Sequence, residues 1–534
     1  MRFPVLAGAA LLALNTAATA ELLSPKVTIT QVDWAAAAAS LPERGDGDAA
    51  AAFARANAES EKRYPGIGKS SVPVLLPVDL GPFQPTKYFL PGPAGYTGTF
   101  ILNHGDGGFK FQYKRKPVEI EITGAGFTYD LDGPDRHEAF PAPKELQDAF
   151  PGIRRILHEA HVRYVFERFG VPYVVSIQCY DRRPSSRYPS CREVDPVAVK
   201  FLQTLRTVGG APQTIAEPKL DLTQPDKTSD FTYYGPGDLI PNSGWRKMPG
   251  TADYTVYAAM RFPIADAPAY VKSQSFMPWG DCYKSGKNGR TGRKNVPYSC
   301  KVNGIPLLFN EAAAVNFTYP WRDNFCELRD FLVGQCAGGY GHQGQDIRPA
   351  TCVQKDVNAD RCLPYHHTIA AARDGLIWRM PGNLGAYIVI NTPNEFVRFR
   401  YLHLNPHYMD SEGLITGRQV SEGEIIGKVA TWGDFEKGTS YHLHFNMQVF
   451  TKVGWAWVNP YMSLVLSYER MIGGKGTEIK PGDPAPVIPD KPPVILNPPL
   501  PGEAKAAEDK PVQAKPAEAK SRKKARRPVR KKRR

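Results

Sequence analysis

Along much of the chain apolar and polar positions alternate with a period of two, the spacing of a β-strand with one face buried. Val118-Glu119-Ile120-Glu121-Ile122 and Phe127-Thr128-Tyr129-Asp130-Leu131 show it most plainly, and β-prone runs follow at 163–166, 172–177, 386–390 and 395–401. The last two are separated by Asn391-Thr392-Pro393-Asn394, a hairpin signal. Helix signals are fewer: 144–150, and the alanine runs Trp34-Ala35-Ala36-Ala37-Ala38-Ala39 and Ala49-Ala50-Ala51-Ala52-Phe53. The pattern predicts an α+β chain rich in antiparallel strands. Its punctuation divides the chain into an Ala-rich helical or loosely ordered leader (21–72), an α+β domain (73–212), a proline-bearing linker (213–245) and a second β-rich domain (246–472). From 473 to 534 the sequence turns Pro/Lys/Ala-rich and has no aromatic residue, so a basic, disordered tail dispensable for folding is expected there.

Charge and cysteine content refine this outline. The formal net charge is +14, yet ten positive charges fall in the last thirteen residues, so the body is only mildly basic. Residues 1–20 carry an early Arg2, a short apolar run and Ala18-Thr19-Ala20, the pattern of a cleaved secretory signal, and no later stretch is apolar enough to span a bilayer. An exported protein of the periplasm or the extracellular space is expected. In that setting the basic tail points to anionic envelope polymers or lipids rather than to a specific nucleic acid. Eight cysteines fall as sequential neighbours, and the simplest pairing is Cys179 with Cys191, Cys282 with Cys300, Cys326 with Cys336, and Cys352 with Cys362. No Cys-x-x-Cys pair suggests a structural zinc site instead.

The chemistry concentrates near the end of the folded part. In Tyr441-His442-Leu443-His444-Phe445, strand alternation puts His442 and His444 on one face. Upstream, Gly341-His342-Gln343-Gly344-Gln345-Asp346 sets a His and an Asp four residues apart, and Tyr401-Leu402-His403-Leu404 adds a further imidazole. Imidazole and carboxylate are ordinary metal donors, and imidazole is also the commonest proton-transfer group. Other histidines read more blandly. His158-Glu159-Ala160-His161 has a spacing of three rather than the four of the helical zinc motif and reads as a surface pair, while His104, His366 and His367 read as loop residues.

Taken together and in this order, the motifs His342-x-Gly344-x-Asp346, Tyr401-x-His403-Leu404 and His442-Leu443-His444 resemble those of the lysostaphin-type (LytM-like) zinc metallopeptidases, peptidoglycan endopeptidases, over about 335–465. The resemblance implies an antiparallel β catalytic domain of the duplicated hybrid motif type and one Zn2+ per chain. It further implies His342, Asp346 and His444 as metal ligands, His403 and His442 as catalytic histidines, and the peptide stems or cross-links of peptidoglycan as substrate. A longer connection after Asp346, with Cys352 and Cys362, and Thr439-Ser440-Tyr441 in place of the usual glycine before the last motif, mark a remodelled rim. Two other readings stay open: a catalytically inactive scaffold that activates other wall hydrolases, and an envelope-binding protein acting through its tail and upstream domain.

Overall fold

The alternation seen in the sequence builds two antiparallel sheets whose polar faces meet. The computed structural model describes residues 21–41, 48–111, 117–132, 138–158, 161–180, 189–239, 252–272, 283–284, 298–299, 301–302, 305–306, 318–327, 331, 333–349, 367–379, 388–429, 442–480 and 482–484. The first sheet contains β1 (Gln84–Gly92), β2 (Gly95–Leu102), β3 (Val118–Ala125), β4 (Glu138–Phe140), β5 (Arg154–His158), β6 (His161–Arg168) and β7 (Val171–Gln178), in the order β1-β2-β3-β7-β6-β5-β4. One face, with Ile120, Ile122, Val162, Tyr164, Tyr173 and Val175, closes an apolar core with the helix Asp195–Gln203. The other face carries Glu119, Glu121, His161, Arg163 and Ser176, and it too is covered: Glu121 is 5% exposed and Arg163 5%.

What covers it is the second sheet, formed by β8 (Ala269–Val271), β9 (Gly344–Pro349), β10 (Gly375–Arg379), β11 (Ile388–Asn391), β12 (Val397–Leu402), β13 (Gln419–Val420), β14 (Leu443–Thr451) and β15 (Gly454–Val458). Its order is β8-β9-β14-β12-β11-β10-β13, with β15 pairing the second half of β14. Val397, Phe399, Tyr401, Leu443, Phe445 and Met447 point into the largest core, which also receives Leu464, Val465 and Tyr468 of the helix Tyr461–Ile472. The opposite face is polar and aromatic. Gly344 lies where β9 crosses β14, and a Cβ there would come within 2.2 Å of the Phe445 carbonyl oxygen, so only glycine lets the two strands pair at this register.

Several expectations change at this level. The segments 73–212 and 246–472 do not stand apart: both fall in one compact unit, 1–492, and Ile156, Val165 and Val174 share a core cluster with Phe396, Phe450 and Trp455. The expected linker contains the strand Thr228–Tyr234, which pairs in parallel with Lys475–Ile479, inside the stretch read as tail. Proline and glycine density hid a strand whose partner lies about 245 residues away in sequence. The leader forms the expected helices Trp34–Ala39 and Ala49–Ser60, each capped by an aspartate, but it also forms the strand Lys26–Ile29, which pairs with Phe127–Asp130. Two of the four disulfides are present, Cys179–Cys191 and Cys326–Cys336, with Cα separations of 4.8 and 5.4 Å. The other two pairs, residues 1–20, His366 and the tail from 485 onward lie outside the described residues. No helix among the described residues is long and apolar enough to cross a membrane.

Candidate metal centre

Three strand ends bring the motif residues together. Asp346 on β9 and Leu402 on β12 are both direct partners of His444 on β14, so Asp346 and His444 lie side by side on the polar face. His342 enters one turn of chain before β9, and His442 immediately before β14. His403 follows β12, and simple alternation would turn it toward the core with Tyr401. Its backbone instead adopts the left-handed conformation, φ 63°, and its ring comes 4.7 Å from that of His442 and 5.7 Å from that of His444. Such a backbone is costly for a residue with a Cβ, by about 1–3 kcal/mol, and is concentrated at functional sites.

Two triads result that share one member: His342, Asp346 and His444, and His403, His442 and His444. In the first, His342 Nε2 lies 3.0 Å from His444 Nδ1, His444 Nδ1 lies 2.9 Å from Asp346 Oδ1, and His342 Nε2 lies 3.4 Å from Asp346 Oδ1. His342 Nδ1–H donates to the Asn324 carbonyl oxygen at 2.8 Å, which leaves the Nε2 lone pair facing the other two. His442 Nε2 stands 3.3 Å from the same Asp346 oxygen. His342 is 2% exposed, Asp346 and His442 0%, and His444 7%, whereas His403 is only partly buried and forms the open side.

The electrostatics favour a cation among these atoms. Burial alone would push the Asp346 carboxyl up, but the imidazoles of His342 and His442 outweigh it and hold the acid well below the usual range. Burial, reinforced by His342 and Arg400 against the pull of Asp346, lowers the His444 imidazole to about 3, and burial next to His442 and His444 lowers that of His403 strongly. A carboxylate and imidazole nitrogens converging on one point make a donor set for a divalent ion. Asp346 Oδ2 and His444 Nε2 have no hydrogen-bond partner among the described residues, which is costly for buried polar atoms unless something else satisfies them.

The loop 323–327 holds His342 and Asp346 in place. Asn324 Oδ1 accepts from the Asp346 backbone N–H at 3.1 Å, while the Asn324 N–H donates to Gln345 Oε1 at 3.1 Å. Gln345 Nε2 donates in turn to Asp323 and Asn459. The Cys326 N–H donates to the His342 carbonyl, and the His342 N–H to Glu327. Loop 323–327, tied to the following chain by Cys326–Cys336, thus grips His342 and Asp346. Trp321 packs on Phe231, Phe262 and Tyr468 and faces no ligand atom of the centre.

The remaining histidines separate from the centre. His158 and His161 are direct partners across the β5–β6 hairpin, His158 3% exposed and His161 half-buried, and both face the second sheet, so they do not form a surface pair. His367 approaches Asp266 at 3.5 Å and belongs to neither triad, and His104 accepts from the Phe111 N–H in a loop. Sequence reading passed over Arg398, Arg400 and Glu121. Arg398 and Arg400 were visible as polar residues at a spacing of two on a strand ending at His403; nothing in the sequence paired Glu121 with them.

No family model and no curated protein matches this chain. Among solved structures it is similar to a protein described as a glycyl-glycine endopeptidase LytM of Ruminococcus gnavus, at 22% identity over 26% of this chain and 53% of that one, with a TM-score of 0.19. It is similar also to CbpA of L. salivarius REN, at 18% identity over 19% of this chain and 65% of that one, TM-score 0.13, and to Helicobacter pylori Csd3, at 13% identity over 65% and 50%, TM-score 0.17. The chain thus spans between half and two thirds of the length of each.

Proposed function

We propose that this chain is an exported zinc metalloendopeptidase that hydrolyses peptide bonds of bacterial cell-wall peptidoglycan. The carrying observation is the buried triad of His342 Nε2, Asp346 Oδ1 and His444 Nδ1, whose separations of 2.9 to 3.4 Å match the roughly 3.3 Å between donors of a tetrahedral ion bound at about 2.0–2.1 Å. We assign these three as the ligands over the all-histidine triad because they include the ionised carboxylate and because His342 is already fixed in the donating tautomer. The chemistry that a bound zinc ion supplies is a water acidified toward neutrality.

The chain's own residues divide the remaining work. His442, beside Asp346, accepts the proton of the attacking water and is kept oriented by that carboxylate. His403, on the open side, stabilises the developing oxyanion or returns a proton to the leaving amine. Asn324 keeps the His342 ring in its tautomer, as acceptors behind metal-binding imidazoles do elsewhere. The two disulfides suit an oxidising compartment.

Mass spectrometry of peptidoglycan fragments tests the reading. Incubation with the full-length protein is expected to release products of peptide-bond scission. A chelator should abolish them and added zinc restore them. Zinc-loaded protein that binds the fragments and leaves every peptide bond intact would overturn the enzymatic reading in favour of a scaffold.

A further inference from the structure

The triad occupies one end of its face, and the same face continues past it. In the β12–β14 register Leu402 pairs with His444, Arg400 with Asn446 and Arg398 with Gln448. Each step of two residues is about 6.8 Å, so the two arginines lie about 7 and 14 Å along the strand from the His444 row. The Arg400 guanidinium sits 4.2 Å over the ring of Trp457 and donates to Gln343 Oε1 at 2.6 Å and to Asn446 Oδ1 at 3.1 Å. Arg398 sits 3.7 Å over Trp455 and 5.5 Å from Trp378. Guanidinium groups held over indoles are fixed in place with their N–H donors available at the edge, and such planar forks recognise carboxylates.

Arg398 already holds a carboxylate. Glu121 Oε2 accepts from its Nη2 at 2.6 Å, and Glu121 comes from β3 of the other sheet. The pair borders a cavity between the two sheets that Arg400, His161 and Trp457 also line. Burying an ion pair stabilises a fold no better than an apolar pair of the same shape, so stability alone does not explain why two sheets meet through charge here.

We propose that Arg400 and Arg398 form a carboxylate-binding lane of the same site, which takes an acidic residue of an extended peptide about two to four residues from the bond that is cut, and that Glu121 fills its far end as a built-in competitor. Naming the ligand a peptide rests on the peptidase reading above; the lane itself rests on the arginines, the indoles and Glu121.

The test uses paired peptides that differ only in Glu or Gln at one position, walked along the sequence. Binding to the full-length protein is read by calorimetry with the metal chelated, and cleavage is read separately with zinc restored. The native protein should prefer the Glu peptide at one or two positions. Glu121→Gln should raise that preference at least about tenfold by freeing the guanidinium for a charge-assisted bond. The double variant Glu121→Gln/Arg398→Gln leaves no buried charge of the pair alone and should lower the preference at least about tenfold below that of Glu121→Gln, or below native should the single variant fail to fold. A preference near one at every position in native and Glu121→Gln protein, or a preference untouched in the double variant, overturns the lane. Glu preference without any zinc-dependent cleavage would leave the lane standing and overturn the peptidase reading.

Discussion

At the scale of single residues, five side chains of similar chemistry are told apart by which atoms they face. His342, Asp346 and His444 converge on one point, while His442 and His403 stand beside it. Alanine at any of the first three should lower metal content and activity together, because two protein ligands hold zinc poorly. Alanine at His403 or His442 should leave about one zinc per chain and reduce turnover by about 10² to 10⁴-fold. Elemental analysis of the five variants beside a peptide-cleavage assay checks this. Zinc retained in His342→Ala and Asp346→Ala but lost from His403→Ala and His442→Ala would move the centre to the other triad.

Elements explain why the proposed ligands are already in position. A strand fixes the direction of Asp346 and His444, but His342 precedes its strand and depends on loop 323–327. Replacing Cys326 and Cys336 by serine removes a ten-residue cross-link and should cost about 2–3 kcal/mol of stability on loop-closure grounds. Zinc should also pass to a weaker chelator. The Cys179–Cys191 bridge closes a similar loop in the first sheet's body, away from the centre. Its serine variant should lose comparable stability and keep native zinc affinity, as competition with a chromogenic chelator would reveal. Equal loss of affinity in both variants would show that general stability, and not the loop's grip on His342, sets metal binding.

The whole molecule adds constraints that no element shows alone. His161 is caught between the sheets, where burial, reinforced by Arg163, Arg398 and Arg400, lowers its imidazole from 6.5 to about 3. The unfolded chain therefore takes up this proton first, so the neutral ring's contribution is complete above pH 6.5 and is lost progressively as the pH falls from 6.5 toward 3. The drop in Tm between pH 7 and pH 5 should be smaller in His161→Gln than in native protein, by scanning calorimetry of the two side by side. The chain's end sets a second constraint. Deleting 485–534 should leave Tm and cleavage of a small soluble peptide unchanged while weakening retention on an anionic surface at low salt, where charges act over distances longer than about 8 Å. Deleting 475–534 also removes a strand paired with Thr228–Tyr234 and the buried Ile479, and should lower Tm. Identical melting of the two truncations would show that this strand adds nothing.

What the sequence determined by itself was whatever depends on near neighbours. Alternation placed His442 with His444, and Lys144–Ala149, Val171–Gln178 and Val397–Leu402 formed close to where local pattern put them, because side-chain period and turn chemistry act over a few residues. Neighbouring cysteines at 326 and 336 joined for the same reason. Tertiary structure alone decided the rest. Alternation marks Glu119 and Glu121 as solvent-facing, yet a second sheet covers them, since a period of two separates the faces of a strand without saying what lies against either one. Local pattern would turn His403 inward, and only the left-handed backbone at the end of β12 brings it beside His442 and His444. The strand at Lys475–Ile479 has its hydrogen-bonding partner at Thr228–Tyr234, a pairing of distant segments that no local window of sequence contains.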